Sequence, residues 1–95
     1  LPVVHGSEQI RIRFLRGKAE PEIKVVLTPA QFDYLEDIAS FHAGGVSERR
    51  ARTIHSNVVD DIRVMESLKE RGCTSALRLK IAKRVLAALD KAGIR

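Results

Sequence analysis

Apolar and polar side chains alternate over residues 9–14, where Ile10, Ile12 and Phe14 share one face and Arg11 and Arg13 the other. The same alternation returns over residues 23–27, with Ile23, Val25 and Leu27 on one face. A period of two is the signature of a half-buried strand, so two strands are predicted. The polar stretch 15–21, which contains Gly17 and Pro21, joins them through a loop longer than two residues. A lone hairpin is marginal in water, so its apolar face must lie against the chain that follows.

After Leu27 the period changes to that of a helix. Phe32, Leu35, Ile38 or Ala39, and His42 or Ala43 fall on one face of a first helix over residues 29–43, His42 as a packed side chain. Its start is chemically specified. Thr28 can cap the first turn, Pro29 occupies the position where no amide hydrogen is needed, and Gln31 can reach back to the cap amide. Gly44 and Gly45 are expected to end this helix in the left-handed conformation. Ser47 then caps a short second helix to Ile54, and Ser56 or Asn57 caps a third, with Val58, Ile62, Met65 and Leu68 at helical spacing and Gly72 as its stop. Thr74 or Ser75 caps a fourth helix running to Ala92, whose row Leu77, Ile81, Val85 and Leu89 is flanked by Ala82 and Leu86 and stopped by Gly93. The expected fold is α+β and mostly α. A single domain over residues 1–95 divides into a hairpin at 8–28, a three-helix core at 29–72 and a C-terminal helix at 74–92.

Composition narrows the class. A chain of 95 residues, 44% apolar and 31% charged, suits one modest core. No apolar run approaches the roughly 20 residues of a membrane-spanning helix, and residues 1–6 do not make a signal peptide; with Leu rather than Met first, the sequence reads as a fragment of a larger protein. Cys73 is the single cysteine, which excludes an internal disulfide and a paired-thiolate zinc site and fits the cytoplasm. The net charge of +5 is uneven: residues 1–46 hold five basic against six acidic side chains, and residues 47–95 hold twelve against six. One nucleic-acid-facing side would produce that asymmetry, as would a solvated basic helix.

The chemistry on offer is that of binding. Arg49, Arg50 and Arg52 on the second helix suit phosphates, and Arg63 on the third is the side chain best suited to read a base edge. Lys80, Arg84 and Lys91, flanked by Arg78 and Lys83, form a basic edge on the last helix. Leu86 and Leu89 on that helix offer an apolar contact for a second copy or another protein. His5, His42 and His55 are scattered and Cys73 has no paired histidine, so neither a metal site, a cofactor nor an enzyme is expected.

The order strand, strand, Leu27-Thr28-Pro29-x-x-Phe32-x-x-Leu35-x-x-Ile38-Ala39, glycine turn, Val46-Ser47 and further helices resembles the effector domain of OmpR/PhoB-type response regulators over residues 10–68. The resemblance implies a winged-helix, helix-turn-helix frame that binds double-stranded DNA in a dimeric transcriptional regulator, with Val58-Val59-Asp60-Asp61-Ile62 in the recognition helix. The chain from Cys73 onward reads as helix where that family has its wing. A protein-interaction module on the same frame is the alternative reading.

Overall fold

The computed structural model describes residues 9–16, 22–72 and 75–94. Two strands, β1 (Ile10–Phe14) and β2 (Ile23–Leu27), precede three helices, α1 (Pro29–Ile38), α2 (Glu48–Glu70) and α3 (Ala76–Lys91). The strands pair antiparallel, with Ile12 opposite Val25 and Phe14 opposite Ile23. The alternation sorts their faces as expected: Ile12, Phe14, Val25 and Leu27 are buried, and Arg11, Arg13, Lys24 and Val26 face out. Arg13 lies directly opposite Lys24 on that outer face, a like-charge pairing that is unfavourable by itself. Glu22 relieves it, accepting from Arg13 Nε and from a second guanidinium nitrogen at 3.2 Å, and the pairing holds the Glu22 carboxyl below the usual carboxylate range.

The start of α1 is built as a reciprocal capping box. The Gln31 amide donates to Thr28 Oγ1 at 3.2 Å while the Thr28 amide donates to Gln31 Oε1 at 3.1 Å, with Pro29 in the first turn. Its end departs from expectation. The helix stops at Ile38 rather than running to Ala43, because the backbone of 43–46 is claimed by the free edge of β1. Arg13 N–H donates to the Ala43 carbonyl (2.7 Å), Val46 N–H to the Arg13 carbonyl (2.8 Å) and Leu15 N–H to the Val46 carbonyl (2.8 Å), forming a parallel bridge between Phe14 and Val46. Gly44 and Gly45 therefore close no helix, and neither adopts a positive φ. His42 is exposed in this connection rather than packed, and Phe41 instead meets Phe32 edge to face at 5.7 Å.

The largest correction concerns the expected second and third helices, which form one helix, so the described residues contain three helices and not four. Ser47 caps it, accepting from the Arg50 amide at 3.1 Å, and helical backbone continues through Ser56 and Asn57 without a turn. Asn57 caps a different helix: its Nδ2 donates to the Ile38 carbonyl at 3.2 Å, at the end of α1. One stripe of Ala51, Ile54, Val58, Ile62 and Met65 is buried along α2, so packing along the whole length favours continuity over the local capping signal. Gly72, at φ +72°, ends it.

Ser75 caps α3, accepting from the Arg78 amide at 3.3 Å, and Gly93 follows it at φ +81°; Cys73 and Thr74 lie outside the described residues. Leu79, Ala82, Val85 and Leu89 are the buried positions of α3. The expected row is thus rotated at its start, and Leu77 is 67% exposed. His55 reaches Asp90 at 2.8 Å and Glu66 reaches Lys83 at 3.2 Å. Early α2 therefore meets late α3 and late α2 meets early α3, an antiparallel helical hairpin. The sheet's inner face, α1 and this hairpin enclose a single apolar core to which Ile94 also contributes.

Candidate nucleic-acid interface

Because α3 turns Leu79, Ala82, Val85 and Leu89 inward, helical spacing puts Lys80, Arg84, Ala87 and Lys91 on its outer side. All four are exposed. Between α3 and the last turn of α2 lies a groove of about 370 Å³ with Lys69, Lys80, Lys83 and Arg84 around Ala76 and Leu79. Lys83 is held by Glu66. Lys69, Lys80 and Arg84 have no ion pair or side-chain hydrogen bond among the described residues. The residues of α3 include Arg78, Lys80, Lys83, Arg84 and Lys91 against Asp90 alone, whereas α2 balances five cations with five carboxylates.

The arginines of α2 fall into two groups. Residues three apart share a helix face, and Arg52 and Arg63 each stand three residues before a side chain that touches α3, His55 and Glu66 respectively. Both border the α2–α3 seam. The antiparallel register brings Arg63 level with the Arg84 turn of α3. Arg52 lies across from Gly93 and Ile94, with which it lines a small cavity of about 120 Å³, and it also stands 3.8 Å from Glu48. Arg49 points away from the buried stripe, and Arg50 borders an open groove with Phe41, His42 and Ser47 near the end of α1. Of the six candidate phosphate or base contacts, Arg52, Arg63, Lys80 and Arg84 therefore belong to one surface. Arg49 and Arg50 lie outside it, since they occupy other faces of α2, Arg50 the one beside Phe41 and His42.

Two side chains the sequence did not single out complete this surface beside Lys83: Lys69 and the small Ala87. Lys69 could have been found only from the register of the helical hairpin, which the expected break at Ser56 concealed. The expected apolar contact dissolves, because Leu89 is 0% exposed in the core and Leu86 is half-buried against it.

The opposite flank of α3 is chemically different. Tyr34 donates its hydroxyl to Asp61 at 2.7 Å, and Arg78 stacks 5.0 Å above the Tyr34 ring while reaching Asp37 at 3.1 Å and Asp61 at 3.8 Å. Burial, followed by the Asp61 carboxylate, pushes the Tyr34 phenol well above its ordinary value, against a smaller opposing pull from Arg78. A phenol held protonated serves as a hydrogen-bond donor and not as a base, so this cluster ties α1, α2 and α3 together. Among the described residues no three His, Cys, Asp or Glu side chains converge on a metal-sized site, and no helix is long and apolar enough to cross a membrane. Comparison with protein-family models, with curated proteins and with solved structures returns no significant match.

Proposed function

We propose that the chain is a DNA-binding module that engages the phosphate backbone of a duplex through the outer surface of the α2–α3 hairpin. The observation that carries this reading is the groove in which Lys69, Lys80 and Arg84 converge without a carboxylate partner, while Lys83 alone is paired. Converged cations that the fold leaves unpaired repel one another, and a polyanion relieves that repulsion while releasing its condensed counterions. Arg52 and Arg63 extend the surface along the seam, and Lys91 continues it along α3. Arg63 remains the side chain best suited to a base edge, as guanidinium favours the guanine major-groove edge.

A duplex is favoured over a single strand. Single-strand binders stack bases on exposed aromatic rings, whereas Phe14 and Tyr34 lie in the core and Phe32 and Phe41 pack on each other. The long continuous α2 puts the weight on backbone contacts along a helical hairpin and not on a recognition helix set off by a turn. The resemblance of Leu27–Leu35 to the OmpR/PhoB-type effector domain supports a regulatory setting.

Fluorescence anisotropy of a labelled random-sequence duplex, titrated at several salt concentrations, tests the reading. Affinity should fall steeply with salt, and Lys80→Ala with Arg84→Ala should lower the slope of log K against log salt by about 1 for each phosphate no longer neutralised. Absence of binding at low salt overturns it.

A further inference from the structure

We propose that the groove between α1 and α3 docks a cationic amphipathic segment of a partner protein, independently of the duplex-binding surface. The groove measures about 400 Å³ and is lined by Asp33, Tyr34 and Asp37 of α1 and by Leu77, Arg78 and Ile81 of α3, among others. Two observations define its occupant. Its wall carries Leu77, which at 67% exposure is the most exposed large apolar side chain of the described residues, next to the half-buried Ile81. Its lining is net acidic, since Asp33 and Asp37 stand against Arg78 alone and α1 contains no basic residue. Asp37 is engaged by Arg78, whereas Asp33 is exposed with no ion pair or side-chain hydrogen bond among the described residues.

An apolar wall beside the unpaired Asp33 carboxylate complements an aliphatic anchor next to a lysine or arginine. A helix or extended segment laid in the groove is the mode of recognition that such a shape offers. The Tyr34–Asp61–Arg78 cluster forms the adjoining wall and fixes the spacing of α1 and α3, so the groove is formed before anything enters it. The partner here is a protein, and the net basic character of the whole chain does not obstruct it because the local field over α1 is negative.

The test uses a short leucine–lysine amphipathic peptide as probe and its leucine–glutamate counterpart as control, with amide chemical shifts read across the labelled full chain. The lysine peptide should perturb residues of the groove and bind about tenfold more weakly to Leu77→Ser, as expected for loss of a central anchor. Asp33→Lys should weaken it further, while the glutamate peptide should leave the groove unperturbed. Lys80→Ala with Arg84→Ala should leave peptide binding intact while reducing duplex binding, which separates the two surfaces. Leu77 and Asp33 are exposed, so both variants should fold, with circular dichroism as the check. Unchanged affinity in Leu77→Ser, perturbations centred on Glu66 and Glu70 instead, or a dimer dissolved by Leu77→Ser, meaning that a second copy covers the groove, would each overturn the proposal.

Discussion

The two flanks of α3 use the same residue types for opposite ends. Toward α1, Arg78 stacks on Tyr34 and meets two carboxylates, and Asp61 receives the Tyr34 hydroxyl. Toward the end of α2, Lys69, Lys80 and Arg84 converge with no such partner. Both charge and pairing distinguish the flanks, the first being net acidic around Arg78 and the second gathering four cations. A cation whose partners lie within its own fold contributes to position, and one without them is available to a ligand. Exposure also ranks the contacts within the paired flank. Arg78 and Asp37 have side chains 40% and 65% exposed, so that bridge contributes at most about 1 kcal/mol, and the part-buried Tyr34–Asp61 hydrogen bond is the stronger tie.

Substitutions on and around each flank put this contrast to the test. The largest effect belongs to neither flank: Leu89→Ala, at the fully buried side of α3, should cost about 2–5 kcal/mol in urea unfolding, and Leu86→Ala clearly less. On the paired flank, Arg78→Ala should cost about 1 kcal/mol, for the partly exposed ion pairs with Asp37 and Asp61 and the stack on Tyr34. Tyr34→Phe should cost about 1 kcal/mol for the missing hydrogen bond.

The same tyrosine gives a pH signature. Its folded pKa is raised above the unfolded value of about 10, so the protonated phenol stabilises the fold fully below that value and progressively less as pH rises beyond it. Urea unfolding of the wild type should therefore weaken above about pH 10 more steeply than that of Tyr34→Phe; parallel curves would show that Tyr34 is not the titrating group. On the unpaired flank, Lys80→Ala with Arg84→Ala should change stability by no more than about 0.5 kcal/mol while reducing duplex affinity. A large stability loss there would abolish the distinction between the flanks.

Much of the fold was legible where local chemistry and tertiary demand agree. Thr28, Pro29 and Gln31 specify a helix start that nothing else competes for, and the alternation of Ile10 to Phe14 and Ile23 to Leu27 sorted the sheet's faces correctly. Ser56 and Asn57 misled because a side chain able to cap its own helix is equally able to cap another, and Asn57 serves α1 across space. Residues 39–43 have helical periodicity, but the unpaired backbone of β1 offered hydrogen bonds that continued helix could not match. Lys80 and Arg84 were visible as a basic edge from spacing alone. Their convergence with Lys69 was not, because it depends on how two distant segments align, which periodicity does not encode. The same limitation put Leu89 on an imagined surface and left Leu77 in an imagined core.

The bridge from Phe14 to Val46 also governs how the sheet meets other chains. β1 is occupied along both edges, by β2 on one side and by the segment 43–46 on part of the other. The outer edge of β2 is left as the direction in which the described sheet can grow, and Lys24 stands within that strand. A lysine there is a common guard against strand addition. Lys24→Val would make residues 23–27 an unbroken apolar run, turning a guarded margin into a template for aggregation.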